Sequence, residues 1–153
     1  MIEYKIIKDT REKKGWDFTP DKNTRKSIRC IGQIVSKLNT GDYSVEGYES
    51  LISIEKKSGF GEVWSNFLSD KKRFEDVCIR LNSIKYRYIM IETLFTRELL
   101  DFCPAQVRRV VLGKAVLKWL YGLSIKYDIP VLWVGSHGMD ETKLIIESML
   151  LNE

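Results

Sequence analysis

The stretch that most constrains this chain runs from Gly41 to Lys57, GDYSVEGYESLISIEKK. Two short strand-like runs, 42–45 and 50–56, flank the polar loop 46–49, a pattern that predicts a β-hairpin. Gly47 supplies the backbone freedom such a loop needs. The hairpin brings Asp42 close to Glu55 across thirteen positions of sequence. Because strand side chains alternate, Lys57 projects to the same side as Glu55. Two carboxylates held this way can ligate a hard divalent cation through oxygen. Such a cation polarises a phosphate and makes bound water a better nucleophile. Lys57 can reach that phosphate or that water. The plainer alternative is that Glu55 and Lys57 form a surface ion pair.

Composition narrows the setting. At 153 residues the chain suits one domain with a substantial core. No apolar run approaches the roughly 20 residues needed to cross a bilayer, so no membrane partner is expected. The start MIEYKIIKDTRE carries charges where a signal peptide needs an apolar centre. The scattered cysteines Cys30, Cys78 and Cys103 lack CxxC spacing, which points to reduced thiols in a cytoplasmic compartment and away from structural zinc. Lysine and arginine outnumber the acids 25 to 21, a net charge of +4 that permits nucleic-acid binding. Local basic clusters are Arg25-Lys26 with Arg29, Lys71-Lys72-Arg73, and Arg108-Arg109. Each can neutralise phosphates or form a solvated face. His137, the single histidine, lies in a turn, which excludes nucleases built on paired histidines.

In chain order, residues 3–9 read as a first strand ending in the polar group Asp9-Thr10-Arg11-Glu12, where α/β sheets place ligands. Residues 13–27 form a surface loop in which Trp16 and Phe18 either anchor to the core or offer an aromatic face to an unstacked base. Residues 28–38 fit a strand bent or bulged near Gly32, with a helix as the alternative. After the hairpin, 62–68 reads as a short helix, and Ser69-Asp70 caps a second at 71–82 whose buried face is Phe74, Val77, Cys78 and Leu81. Lys72 and Arg73 lie near its N-terminus, where backbone N–H groups favour anions. Residues 86–92 read as a buried strand, 93–101 as an irregular stretch with a helical turn, and 104–126 as a long helix opened by Pro104. A last strand spans 129–134 and a final amphipathic helix 139–151. This order predicts an α/β fold with a mixed sheet, an antiparallel meander first and parallel strands after, flanked by helices. Excess apolar surface on the last two helices predicts a homodimer through them.

The motifs Asp9-Thr10-Arg11-Glu12, Gly41-Asp42-Tyr43-Ser44, Ile54-Glu55-Lys56-Lys57-Ser58, Arg73-Phe74-Glu75, Ile91-Glu92 and Tyr127-Asp128-Ile129-Pro130-Val131 stand in the order found in XPF-type nuclease domains. The chain resembles that family over nearly its whole length, most closely the small stand-alone bacterial and phage members. The resemblance implies a restriction-endonuclease-like fold and DNA cleavage dependent on Mg²⁺ or Mn²⁺. By position, Asp42 and Glu55 match metal ligands and Lys57 the catalytic lysine. Asp9 and Glu12 match acids beside the metal, with Asp9 a further ligand. Arg11 and Arg73 match residues that meet the DNA backbone, and Lys56 and Lys72 add positive charge toward it.

Three features depart from the family pattern. Lysine stands at position 56 where the family has arginine, and loses the bidentate geometry. The acid that follows the E-R-K motif is displaced by one residue, to Glu62. The 153 residues leave no room for a helix-hairpin-helix module. The expected function is a metal-dependent endodeoxyribonuclease acting on branched or single-stranded DNA in repair, recombination or phage DNA processing, in bacterial or phage-infected host cytoplasm. The alternative is a catalytically silent module that binds DNA or a partner.

Overall fold

The computed structural model of the chain describes residues 1–103 and 112–153. Six strands form one sheet: β1 (Ile2–Asp9), β2 (Ile28–Ser36), β3 (Tyr43–Val45), β4 (Ile52–Lys57), β5 (Tyr86–Ile91) and β6 (Val131–Trp133), ordered β2-β1-β3-β4-β5-β6. The helices are α1 (Phe60–Ser69), α2 (Lys71–Asn82), α3 (Gly113–Tyr127) and α4 (Gly138–Asn152), with a 3-10 turn at Arg97–Asp101. The expected long helix is seen from Gly113 onward, and residues 104–111, with the Arg108-Arg109 cluster, lie outside the described residues.

The mixed sheet agrees with the expectation in composition and differs in strand order. The antiparallel meander is β1, β3 and β4, while β2 sits on the outer edge, parallel to β1. A parallel neighbour requires a crossover connection. Residues 10–27 supply it, and Phe18 buries within them while Trp16 stacks on Tyr43 at 5.2 Å between ring centroids. Both aromatics therefore serve as anchors. β2 carries the expected irregularity. Tyr4 faces Cys30 but Ile6 faces Gln33, so β2 uses one extra residue there, and Gly32 takes a φ of 127°.

Alternation along the central strands sorts their side chains between two cores. Ile52, Ile54 and Met90 point toward α4, where they meet Ile146, Met149 and Leu150. Ile89 and Ile91 point the other way, into a core built by α1, α2 and α3 around Trp64, Phe74 and Leu120. Each such apolar side chain contributes about 1.5–3 kcal/mol by burial. The result is three layers, with, among the described residues, α4 on one face of the sheet and α1, α2 and α3 on the other.

Asp70 separates α1 from α2 without the expected side-chain cap, and its backbone carbonyl accepts the Phe74 N–H at 2.9 Å instead. α4 begins at Gly138, and the Trp16 ring occupies the space beside that residue. An added Cβ there would lie 2.1 Å from Trp16 Cζ2. Gly138→Ala is therefore expected to destabilise the protein by about 1–3 kcal/mol, as overpacking does. Thermal unfolding checks this, with a fall of about 2–4 °C in Tm per kcal/mol at this chain length.

Candidate active site

β4 carries Glu55 and Lys57 on the face covered by α1 and α2, and Lys56 on the face covered by α4. Beside them, Asp42 precedes β3. Its N–H donates to the Ile54 carbonyl at 2.8 Å, and its carboxylate Oδ2 accepts the Lys56 N–H at 2.7 Å. Gly41 allows this approach: its φ is 77°, and an added Cβ would lie 2.1 Å from Ser53 Oγ. Asp42, Glu55, Lys57, Glu12, Arg11 and Arg73 all line one cavity of about 500 Å³ between the sheet and α2. The hairpin thus brings the acid pair and the lysine together.

The two acids are strained electrostatically. Burial, then the neighbouring Glu55 charge, pushes the Asp42 carboxyl up to about 8, against the Lys56 N–H bond, and Glu12 adds to the rise. Burial likewise pushes Glu55 above the usual carboxylate range, against the attraction of Lys57. Lys57 is only 7% exposed and stands 3.4 Å from Glu55 and 3.7 Å from Glu62, with its ammonium 4.8 Å from the Phe74 ring centroid. Glu62 was visible in the sequence only as an acid one place out of register. Here it also accepts the Ser58 N–H at 2.7 Å and so tethers the start of α1 to the end of β4.

Other expected site residues take different positions. Asp9 is 2% exposed, and both its oxygens are occupied. Oδ1 accepts the Leu38 N–H at 2.7 Å, and Oδ2 accepts the Arg11 N–H at 3.0 Å and Nε at 2.8 Å. These bonds hold its carboxyl below the usual range despite burial. Asp9 borders the cavity but is bonded as a brace for Arg11 and the 37–40 loop, not as an open ligand. Arg11 also donates to the Leu38 carbonyl at 2.9 Å. Lys56 departs from its expected role more fully. Its side chain is 4% exposed, pairs with Glu92 at 2.7 Å and lies over Trp16 on the α4 side of the sheet. Strand alternation separates it from Lys57, and that signal was present in the sequence. Lys72 is exposed but does not line the cavity, whereas Arg73 does. Asn66 and Arg80, which no motif marked, also line it.

Among the described residues, no three histidine, cysteine or acidic side chains form a ready-made metal cage. The donors at hand are a pair of buried, mutually repelling carboxylates beside open space. That set suits Mg²⁺, which keeps several waters and binds through one or two carboxylates plus substrate phosphate. The raised carboxyl positions also set a pH dependence. A native acid that holds its proton above the ordinary range stabilises the fold fully at low pH and loses that contribution as pH rises through its native value. In chelator, the stability contributed by Asp42 is expected to decline between about pH 4 and pH 8. Asp42→Asn is expected to raise Tm at pH 8 by at least about 2 °C, with little change at pH 4. Differential scanning fluorimetry checks both, and millimolar Mg²⁺ is expected to raise the Tm of the wild type but not of Asp42→Asn.

No protein-family model matches the chain, and no curated protein is similar to it in sequence. Among solved structures, XPF from Aeropyrum pernix is similar, with a TM-score of 0.57 and 15% identity over 94% of this chain. The chain spans 65% of that protein's length. At this identity the similarity establishes architecture, and this chain has the α/β fold of that XPF structure, with its acid pair and lysine gathered on one face of the shared sheet.

Proposed function

We propose that the protein is a divalent-metal-dependent DNA endonuclease. The observation that carries this reading is the convergence of Asp42, Glu55 and Lys57 in one cavity, with the two carboxylates held at the end of the sheet and arginines on the opposite wall. Asp42 and Glu55 are the residues that hold Mg²⁺ or Mn²⁺. When bound, the cation supplies charge stabilisation at the phosphate and acidifies water. Lys57, on the same strand face as Glu55, orients or deprotonates the attacking water. Glu62 is a second carboxylate partner of the Lys57 ammonium. Glu12 adds negative charge within the same cavity, toward which a second cation is drawn. Asp9 positions Arg11, and Arg11 and Arg73 meet the DNA backbone, with Lys72 adding charge near the start of α2. Lys56 supports the site through its backbone N–H rather than its side chain.

The substrates are branched or single-stranded DNA, and the setting is DNA repair, recombination or phage DNA processing, as in stand-alone nucleases of bacteria and their phages, in the cytoplasm. Among the described residues, no helix is long and apolar enough to cross a membrane. A homodimer forms through the C-terminal helices. The support is an apolar groove between α4 and β5, lined by Tyr86, Tyr88, Leu144 and Ile145. Light scattering at micromolar concentration is expected to give twice the chain mass, and a monomer there removes the dimer.

A binding module without cleavage is the second reading, favoured by the enclosure of Lys57 between two acids. Labelled flapped, single-stranded and duplex DNA distinguishes the two. Mg²⁺-dependent nicking is expected, with Lys57→Ala and Asp42→Ala each lowering the rate by about 10²-fold or more, the low end of proton-transfer contributions. Binding without cutting in any metal supports the second reading, and undiminished cutting by either variant removes the site assignment.

A further inference from the structure

A second cavity of about 490 Å³ adjoins the first, and Asn39, Thr40 and Arg80 line both. The two are successive compartments of one groove, with α2 as one wall and the 37–40 loop as the other. Lys37 stands in the far compartment, and Glu49 is the acid there. The near compartment holds the reaction centre and most of the carboxylates.

The cations along this groove differ in their commitments. Arg11 and Lys57 are paired with Asp9, Glu55 and Glu62. Arg73, Arg80 and Lys37 have no ion pair or side-chain hydrogen bond among the described residues. Arg73 and Arg80 are seven residues apart on one face of α2, with Val77 between them in the same wall, which separates them by about 10 Å along the helix axis. That distance matches about two to three nucleotides of one strand at the rise per nucleotide of a stacked chain. The 37–40 loop opposite is fixed to the reaction centre, because Asp9 and Arg11 hold both backbone groups of Leu38. At the junction of the two compartments, Thr40 Oγ1 has no hydrogen-bond partner.

We infer that this groove is the path of the DNA strand beyond the cleaved bond, with Arg73 at the scissile phosphate and Arg80 and Lys37 forming a phosphate subsite about two to three nucleotides further on. The inference rests on the nuclease reading for the location of that phosphate, but not for the existence of the groove. Arginine and lysine that are not committed to an acid have their charge available for a polyanion, and these line a groove that continues from the acid-lined cavity. Contacts of this kind fix the register of the strand without reading its sequence.

The test uses the full chain carrying Asp42→Asn, which keeps bound DNA intact, and a labelled single-stranded 20-mer followed by fluorescence anisotropy. Arg80→Ala and Lys37→Ala in that background are each expected to weaken binding about fivefold, and to lower the slope of log affinity against log salt by about 0.7, the value of one phosphate contact on a single strand. Lys118→Ala, on α3 and lining neither cavity, is the control and is expected to change neither. With the scissile position mapped using the wild type, a neutral methylphosphonate is then placed at each phosphate in turn. Neutralising the second or third phosphate is expected to weaken binding to the parent and to add nothing to Arg80→Ala. Binding by Arg80→Ala and Lys37→Ala equal to the parent overturns the subsite, as does a methylphosphonate effect that is the same at every position. If the wild type cuts no DNA in any metal, the nuclease reading falls, while the anisotropy of Arg80→Ala and Lys37→Ala still decides the groove.

Discussion

Two carboxylates buried side by side repel each other, and a protein keeps such a pair only where its surroundings hold both in place. Asp42 and Glu55 form that pair. The Lys56 N–H fixes one carboxylate, and Lys57 faces the other. Leaving a charge in a low-dielectric site without compensation costs several kcal/mol, and burial with the neighbouring Glu55 charge pushes the Asp42 carboxyl upward because its compensation is incomplete. The rest of the site is arranged around this deficit. Glu62 and Phe74 restrain the Lys57 ammonium, and Arg73 brings positive charge to the opposite wall.

The central strand β4 makes this possible by serving two cores at once. Its apolar residues Ile52 and Ile54 are spent on the α4 side, so the other face is free to carry Ser53, Glu55 and Lys57. Lys56 extends the apolar side at its last position and is tolerated there because Glu92 neutralises it and Trp16 covers it. One strand therefore holds two neighbouring lysines in opposite circumstances. One is part of a buried structural pair, and the other is held over the acids by a second ion pair. The charge-bearing end of the sheet also needs bracing from outside, and Asp9 provides it by tying β1 to Arg11 and to the 37–40 loop.

Much of the local structure was legible. The hairpin, α2 over residues 71–82 and the Gly32 irregularity all follow from period, turn residues and glycine placement, which depend on neighbours within a few positions. Phe18 as a core anchor follows from the general burial of aromatics. The outward placement of β2 was not legible. A parallel edge strand and an antiparallel meander strand show the same alternation, and only the path of the 10–27 crossover distinguishes them. The exclusion of Lys72 from the cavity likewise depends on how α2 is rotated against the sheet, which Phe74, Cys78 and Leu81 set by packing into the core.

By itself the sequence determined which chemistry the chain can hold: two acids and a lysine on one hairpin, spaced so that a period of two places Glu55 and Lys57 together. It also determined the succession of strands and helices that makes an α/β sheet. Only the tertiary structure decided which polar groups remain open. Asp9 and Lys56 look as available in sequence as Asp42 and Lys57, but their partners Leu38 and Glu92 lie 29 and 36 positions away. A hydrogen bond or ion pair formed across that distance exists only once the chain has folded, and it is such bonds that turn Asp9 toward the 37–40 loop and Lys56 toward the opposite face, while Asp42, Glu55 and Lys57 line the cavity together.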